Sequence, residues 1–374
     1  MVVGFGMTPA TYSSQQLNLA DRWARAGHAV DLFTLPGQAV AAYPLPPEVR
    51  VRECPGKIIG RTGLPFMTGF QRPLRQEQYD FVLSSEHYQP VTALACLASP
   101  RVLIYQGQNI AGASRASRWL LRGLEMTGGQ ISRRRCLGAV AKTSQAAVFL
   151  QARGFQRVRA ILCGYDEQRF GLPTPEQRRL CRAALGLAEN EVGLVYAGNL
   201  LARRDVAAII RALALLAAQG LATRLLIAGQ GPEQLRLEDL ARQLGVAERV
   251  NFLGLRDWSE LRQIYWAGDV FVFPSRHEIF GLVLLEALAC GLVLVSTPVG
   301  AAPDVVSAET GRLIPIGQPT ALAQTLQDLL IDPDHLPRLT ETARRVAPRY
   351  TWAASAQAIL TYAQELTAHA TNTA

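Results

Sequence analysis

Two glutamates separated by seven residues, Glu278 and Glu286, flank a glycine in the segment EIFGLVLLE. The apolar run DVFVFPS (269–275) before them predicts a strand, and the apolar residues after Gly281 predict a helix. A glycine at a helix start removes a side chain, so the free amides of residues 280–283 can approach an anion such as a diphosphate closely. The pattern predicts a site for a phosphorylated ligand.

The helix predicted over residues 281–290 is apolar on every face except at Glu286, which predicts that it is buried all round. A buried carboxylate without partners is costly, because it loses its hydration. Two neighbouring ribose hydroxyl groups of a nucleotide would supply partners. An internal ion pair with an arginine such as Arg312 is the alternative, and the residues alone leave both interpretations open.

Short apolar runs alternate with longer amphipathic segments along the chain, which is typical of βαβ units and parallel sheets. At 374 residues the chain exceeds the size at which a single hydrophobic core usually keeps growing. We therefore predict two doubly wound domains, residues 1–172 and 173–350, followed by a terminal helical segment, 351–374. Ligands of such folds bind beyond the carboxyl ends of the strands, and Glu278 lies in that position.

Several motifs resemble those of glycosyltransferase family 4, and they follow one another in the family's order over nearly the whole chain. The segment SRHEIFGLVLLEALACG is similar to the family's signature of two glutamates, and VYAGNLLARRD is similar to its glycine-initiated phosphate loop. CGYDEQRF resembles its linker motif, and RYTWAASAQAILTYAQEL resembles the terminal helix that returns to the first domain. The resemblance implies an α/β fold of the GT-B class, with two doubly wound Rossmann-like domains facing across a cleft.

The resemblance also implies an activity. Such enzymes transfer a sugar from a nucleotide-diphosphate sugar to an acceptor hydroxyl with retention of the anomeric configuration, and they use no metal ion and no other cofactor. The leaving diphosphate is thought to act as the base, so the protein mainly positions the substrates and stabilises the departing phosphate. We expect a UDP- or GDP-sugar as the donor.

Residue by residue, the resemblance assigns the hydroxyl groups of the transferred sugar to Glu278 and the ribose to Glu286. The amides that would bind the sugar and the phosphates belong to Gly281, Leu282 and Val283. The family usually has an arginine and a lysine on the diphosphate, where this chain has Asn199 and Arg204. Arg204 keeps the charge and can bind phosphate through two N–H groups, and Arg203 is the substitute for the cation missing at position 199.

The first domain departs from the family at a position that often carries a histidine after a strand, where this chain has Gln106. A glutamine cannot act as a base, although it can donate a hydrogen bond to the reacting sugar. His87, at the end of the preceding predicted strand, is the candidate to occupy part of that space, and a histidine on the surface is the alternative. We therefore list Glu278, Arg204, Gln106 and His87 as candidate catalytic residues.

The net charge of +8 is unevenly distributed, because residues 1–175 carry 20 Lys and Arg against 10 Asp and Glu. Within this half, the segments 56–70 and 114–135 mix basic and apolar residues. Such surfaces can bind anionic lipid headgroups or an acidic acceptor, and an arginine-rich solvated helix face is the alternative. The first residues, MVVGFG, read as a first strand and not as a signal peptide, so we expect a cytoplasmic protein. The basic and apolar surface of the first half would attach it peripherally to the inner face of the membrane.

The sequence thus predicts a retaining glycosyltransferase whose acceptor is an envelope polysaccharide, a glycolipid or a lipid-linked glycan, with no nucleic-acid partner. The six cysteines are scattered without metal-ligand spacing, and we expect them to be reduced. Two other classes stay open. A nucleotide-sugar 2-epimerase shares the GT-B architecture, and a non-catalytic glycan-binding or partner subunit would explain Asn199 and Gln106.

Overall fold

The computed structural model describes residues 2–5, 15–36, 44–59, 64–107, 115–332 and 334–372. The chain divides into two compact units. The first unit contains residues 1–164 together with 352–374, and the second contains residues 165–351. The α/β fold with two parallel sheets, predicted from the alternation of apolar runs and amphipathic segments, is confirmed.

Strands of the first unit are β1 (Val2–Phe5), β2 (Val30–Thr34), β3 (Val49–Glu53), β4 (Gly56–Ile59), β5 (Leu64–Met67), β6 (Phe81–Ser85), β7 (Val102–Gln106), β8 (Gly138–Ala141) and β9 (Val158–Ala160). Its helices are α1 (Gln15–Arg25), α2 (Gln71–Gln76), α3 (Pro90–Ala98), α4 (Arg115–Leu124), α5 (Gln130–Arg135) and α6 (Ser144–Gln151), with a π-helical turn at Glu125–Gly129.

The main sheet of the first unit is parallel, in the order β3-β2-β1-β6-β7-β8-β9. Its register aligns the carboxyl ends of three neighbouring strands, since Ser85 pairs with Tyr105 and Gln106 pairs with Ala141. Residues that directly follow β6, β7 and β8 therefore meet at one edge of the sheet. His87 and Gln106 lie at this edge.

The segment 56–70, predicted as a surface of basic and apolar residues, contains the antiparallel pair β4–β5. Ile58 and Phe66 are exposed on this pair, while Met67 and Phe70 are buried in the core of the first unit. The sequence did not predict β3, β4 or β5. The prediction that the apolar side chains of this segment lie on the surface is thus correct for Ile58 and Phe66 and wrong for Met67 and Phe70.

The second unit contains the strands β10 (Val192–Ala197), β11 (Thr223–Ala228), β12 (Val250–Gly254), β13 (Val270–Phe273), β14 (Val293–Ser296) and β15 (Gly311–Leu313). Its helices are α7 (Pro175–Ala184), α8 (Val206–Ala218), α9 (Gln234–Gln243), α10 (Trp258–Ala267), α11 (Leu282–Ala289), α12 (Ala302–Val305), α13 (Pro319–Ile331) and α14 (His335–Val346). These strands form one parallel sheet in the order β12-β11-β10-β13-β14-β15.

The last helix, α15 (Trp352–Asn372), packs against α1 of the first unit. The indole Nε1–H of Trp23 donates to the carbonyl oxygen of Ala356 over 2.9 Å, and Arg159 forms an ion pair with Glu365. None of the helices in the described residues is long and apolar enough to cross a membrane.

Candidate active site

Two loops of the second unit, one after β10 and one after β13, lie against each other. The backbone N–H of Arg276 donates to the carbonyl oxygen of Arg203 over 2.9 Å, and the Arg203 guanidinium donates to the carbonyl oxygen of His277 over 3.2 Å. Because β10 and β13 are neighbours in a parallel sheet, their carboxyl ends open at the same edge. The predicted phosphate loop and the segment that carries Glu278 are therefore adjacent.

Arg204 and Glu278 form an ion pair between these two loops. The same guanidinium donates to the hydroxyl of Ser275 over 3.2 Å and lies 5.5 Å from the centre of the Phe273 ring. Both charged side chains are about nine-tenths buried, at 14% and 13% exposure. Arg204 and Glu278 lie 74 positions apart in the sequence, and both were predicted to contact the sugar donor. The structure pairs them at one edge of the sheet.

A second ion pair lies beside the first. Asp205 has a left-handed backbone (φ 51°), which is uncommon for a residue other than glycine, and it ends the short 3₁₀ turn Ala202–Arg204. Its carboxylate accepts from the Arg276 guanidinium at 2.8 and 3.0 Å. The pair fixes the loop on which Arg203 and Arg204 stand. Asp205 was not among the site residues predicted from the sequence.

The predicted helix start at Gly281 is present, and α11 begins at the next residue. Gly281 has φ 85°, so a side chain here would be strained. Leu282 and Val283 occupy the first turn, where amides have no acceptor within the helix. The neighbouring loop packs closely, because the N–H of Ala301 donates to the carbonyl oxygen of Phe280 over 2.7 Å.

Glu286 is buried on α11, with 5% of its surface exposed. The hydroxyl of Tyr265 donates to its carboxylate over 3.3 Å. Arg312, the alternative ion-pair partner, instead donates to the carbonyl oxygens of Ala308 (2.7 Å) and Gly311 (2.8 Å). A phenol hydroxyl is a neutral hydrogen-bond donor to this carboxylate.

Glycines allow the loops after β10 and β11 to approach each other. A Cβ atom on Gly229 would lie 2.0 Å from the carbonyl oxygen of Gly198, and one on Gly231 would lie 2.3 Å from that of Leu200. The N–H of Leu200 donates to the carbonyl oxygen of Gln230 over 3.0 Å. Asn199 is exposed between these contacts, so the polar tip of the phosphate loop faces solvent.

In the first unit, His87 and Gln106 contact each other at the carboxyl edge of the sheet. The Oε1 atom of Gln106 lies 2.8 Å from His87 Nδ1 and accepts from the His87 backbone N–H over 3.0 Å. The alternative of a surface histidine is wrong, because His87 is only 1% exposed. Burial lowers its pKa, which favours the neutral imidazole at neutral pH. Gln106 is also fully buried.

Two charged residues beside this pair were missed by the sequence analysis. The Nε2 amide of Gln106 donates to Glu86, whose carboxylate also accepts from the N–H of Gly107 over 3.0 Å. The ammonium of Lys142 lies 3.8 Å from the Glu86 carboxylate. Position directly after a strand was the only available signal for either residue. Among the described residues, no group of three or more His, Cys, Asp or Glu side chains could hold a metal ion.

Two compact units, each built on a parallel doubly wound sheet, define a GT-B fold. HepE from Anabaena, solved in complex with UDP, superposes with a TM-score of 0.77 at 18% identity, covering 97% of this chain and 99% of that one. Sucrose-phosphate synthase from Thermosynechococcus elongatus superposes with a TM-score of 0.72 at 22% identity, covering 98% and 99%.

The chain belongs to glycosyltransferase family 4. The model of that family matches residues 15–169, and the model of glycosyl transferases group 1 matches residues 177–346. D-inositol 3-phosphate glycosyltransferase 2 from Catenulispora acidiphila is 30% identical, over 91% of this chain and 87% of that protein. Other curated relatives with a similar name align over a shorter stretch, and the chain spans about half of their length, for example 49% and 46%. The family resemblance predicted from the motifs is confirmed.

Proposed function

We propose that the chain is a retaining, metal-independent glycosyltransferase that moves a sugar from a nucleotide-diphosphate sugar to an acceptor hydroxyl. The observation that carries the proposal is the Arg204–Glu278 ion pair, which joins the phosphate loop to the segment of the two glutamates. Arg204 would bind the diphosphate, and Glu278 would accept from hydroxyl groups of the sugar. The guanidinium can exchange its carboxylate partner for phosphate oxygens, since both fit its planar fork of N–H groups.

The remaining donor contacts follow from the neighbouring elements. Glu286 would accept from the ribose hydroxyls, which would add hydrogen bonds to a buried carboxylate that already accepts from the phenol of Tyr265. The first-turn amides at Gly281, Leu282 and Val283 would bind the sugar and phosphates, with Asn199 and Arg203 at the tip of the phosphate loop. UDP is the nucleotide bound to HepE, and we propose UDP or GDP here.

Nucleotide binding gives the first test. At 100 times the dissociation constant, the matching nucleotide among UDP, GDP, ADP and dTDP should stabilise the wild type by about 2.7 kcal/mol. Glu286→Ala should lose this stabilisation, because the ribose loses its acceptor. Differential scanning fluorimetry measures both melting temperatures with and without nucleotide.

The control is Glu341→Ala, an exposed glutamate on α14 whose loss should leave the nucleotide-induced shift unchanged. The quantity to compare between variants is the nucleotide-induced shift in melting temperature and not the melting temperature itself. Glu286→Ala also takes this acceptor from the buried Tyr265 hydroxyl, which lowers stability without nucleotide. No shift with any nucleotide would contradict the proposal and favour the non-catalytic partner subunit. Interconversion of a nucleotide sugar without an acceptor would instead favour an isomerase.

We further propose an acceptor carried at a membrane, namely an envelope polysaccharide, a glycolipid or a lipid-linked glycan. The support is a mixed surface on α4 and the turn after it, where Trp119 is 71% exposed and Met126 is 75% exposed. Leu120 and Arg122 of α4 are also exposed, as are Arg134 and Arg135 of the following helix, α5. Apolar side chains beside cations suit the interface of an anionic bilayer.

Vesicle flotation tests this surface. The wild type should float with vesicles that contain phosphatidylglycerol and remain unbound with pure phosphatidylcholine, because each nearby arginine adds about 1 kcal/mol of attraction. Trp119→Ala combined with Met126→Ala should reduce flotation severalfold. Leu235→Ala removes an equally exposed apolar residue from the second unit and should have no effect. Equal recovery with both lipids, or no recovery with either, would refute membrane attachment through this surface.

A further inference from the structure

Three charged or polar residues meet where β6, β7 and β8 end in the first unit. Glu86 follows β6, Gln106 ends β7, and Lys142 follows β8. The backbone of Glu86 is left-handed (φ 58°), a conformation that costs free energy for any residue other than glycine. Strain of this kind is retained only where surrounding contacts enforce it, and it clusters at functional sites.

A chain of hydrogen bonds fixes the direction of the Glu86 carboxylate. His87 holds the oxygen of the Gln106 side-chain amide, which turns the amide nitrogen toward Glu86. The N–H of Gly107 donates to the other carboxylate oxygen over 3.0 Å. Two donors leave about half of the acceptor capacity of a carboxylate unused. His87 and Gln106, both buried, are thus positioning residues for Glu86.

Lys142 presents the complementary donors. Its side chain is 8% exposed, and its ammonium lies 3.8 Å from Glu86 Oε1, which is beyond hydrogen-bond distance, and 4.4 Å from the centre of the Tyr105 ring. Among the described residues, no hydrogen bond from this ammonium is present, so its three N–H donors are available. It is one of two lysines in a chain that otherwise uses arginine.

We infer that Glu86 and Lys142 bind two neighbouring hydroxyl groups of a polyhydroxylated acceptor, a sugar or a cyclitol. This inference rests on the proposed function, because it names the acceptor class of the same enzyme. A hydroxyl group can donate to the carboxylate and accept from the ammonium, and a diol can satisfy both at once. The pair carries no net charge, so an anionic group at Lys142 would meet repulsion from Glu86.

The test measures binding of three uncharged polyols, myo-inositol, D-glucose and D-mannose, by saturation-transfer NMR on the full chain with its matching nucleotide present. Glu86→Gln and Lys142→Met should each weaken binding of the preferred polyol about tenfold or more, because each removes charge-assisted hydrogen bonds. Lys57→Met, which changes the only other lysine, should leave the affinity unchanged. Lys142→Gln repeats the test if the methionine variant does not fold.

Nucleotide-induced stabilisation separates this inference from the proposed function, because its residues belong to the second unit. Polyol binding lost in both variants, with the nucleotide shift retained, would support the pair. Unchanged polyol affinity in either variant would overturn it. So would a wild type that shows the nucleotide shift and binds none of the polyols, whereas a missing nucleotide shift in the wild type counts against the proposed function alone.

Discussion

Replacing Arg204 with alanine should lower kcat/KM for sugar transfer by about 10²–10³-fold, the loss seen when one preorganised donor to a developing negative charge is removed. Two losses combine. The diphosphate of the proposed donor would lose a guanidinium that lies over the Phe273 ring, and the buried Glu278 would lose its ion-pair partner. An unpaired carboxylate of this kind also costs about 1–3 kcal/mol of stability.

Steady-state kinetics with the sugar conjugate of the nucleotide that stabilises the wild type measures this effect. Arg204→Lys should lie between wild type and alanine, because lysine keeps the charge but not the planar fork. Arg211→Ala, on the exposed face of α8, is the matched control and should retain activity. A kcat/KM for Arg204→Ala within threefold of the Arg211→Ala value would contradict the assignment of Arg204 to the active site.

The two parallel sheets were predictable because their strands are buried on both faces. Such strands read as continuous apolar runs, as in DVFVFPS before Glu278, and helices cover both sides of them. β3 was missed for the opposite reason. Its sequence VRVRE alternates apolar and charged residues and is not a continuous apolar run. The strand joins the edge of the sheet because Arg50 and Arg52 both form ion pairs with the buried Asp31, at 2.7 Å.

The candidate site was predictable in part. Glu286 could be assigned to a buried position because its helix is apolar elsewhere. The pairing of Arg204 with Glu278 could not be derived from local pattern, since it joins loops that follow different strands of one sheet. Glu86 gave only the weak signal of its position directly after a strand, because nothing in its residue type predicts a left-handed backbone or the contacts of its carboxylate with Gln106 and Gly107.

Gly229→Ala should be the most disruptive single change in the loops that follow β10 and β11. Its Cβ atom would lie 2.0 Å from the carbonyl oxygen of Gly198, and the backbone has φ 146°, which side chains rarely adopt. The obstacle is backbone, so no rotamer change can relieve it. The loop that carries Asn199 must move, and Gly229 must also strain its hydrogen bond to the carbonyl oxygen of Gly254. We expect a stability loss of about 2–5 kcal/mol and no nucleotide-induced stabilisation.

Gly220→Ala separates the steric effect from backbone strain. Gly220 also has a positive φ (78°), but nothing lies within 4 Å of the place a Cβ atom would take, so its cost should be about 1–2 kcal/mol. Hydrogen exchange followed by mass spectrometry should show faster exchange in residues 196–204 for Gly229→Ala only. A chain of two compact units need not unfold in a single two-state step, so this local readout is more direct than a global free energy of unfolding. Equal protection of residues 196–204 in both variants would mean that the phosphate loop does not depend on this close backbone contact.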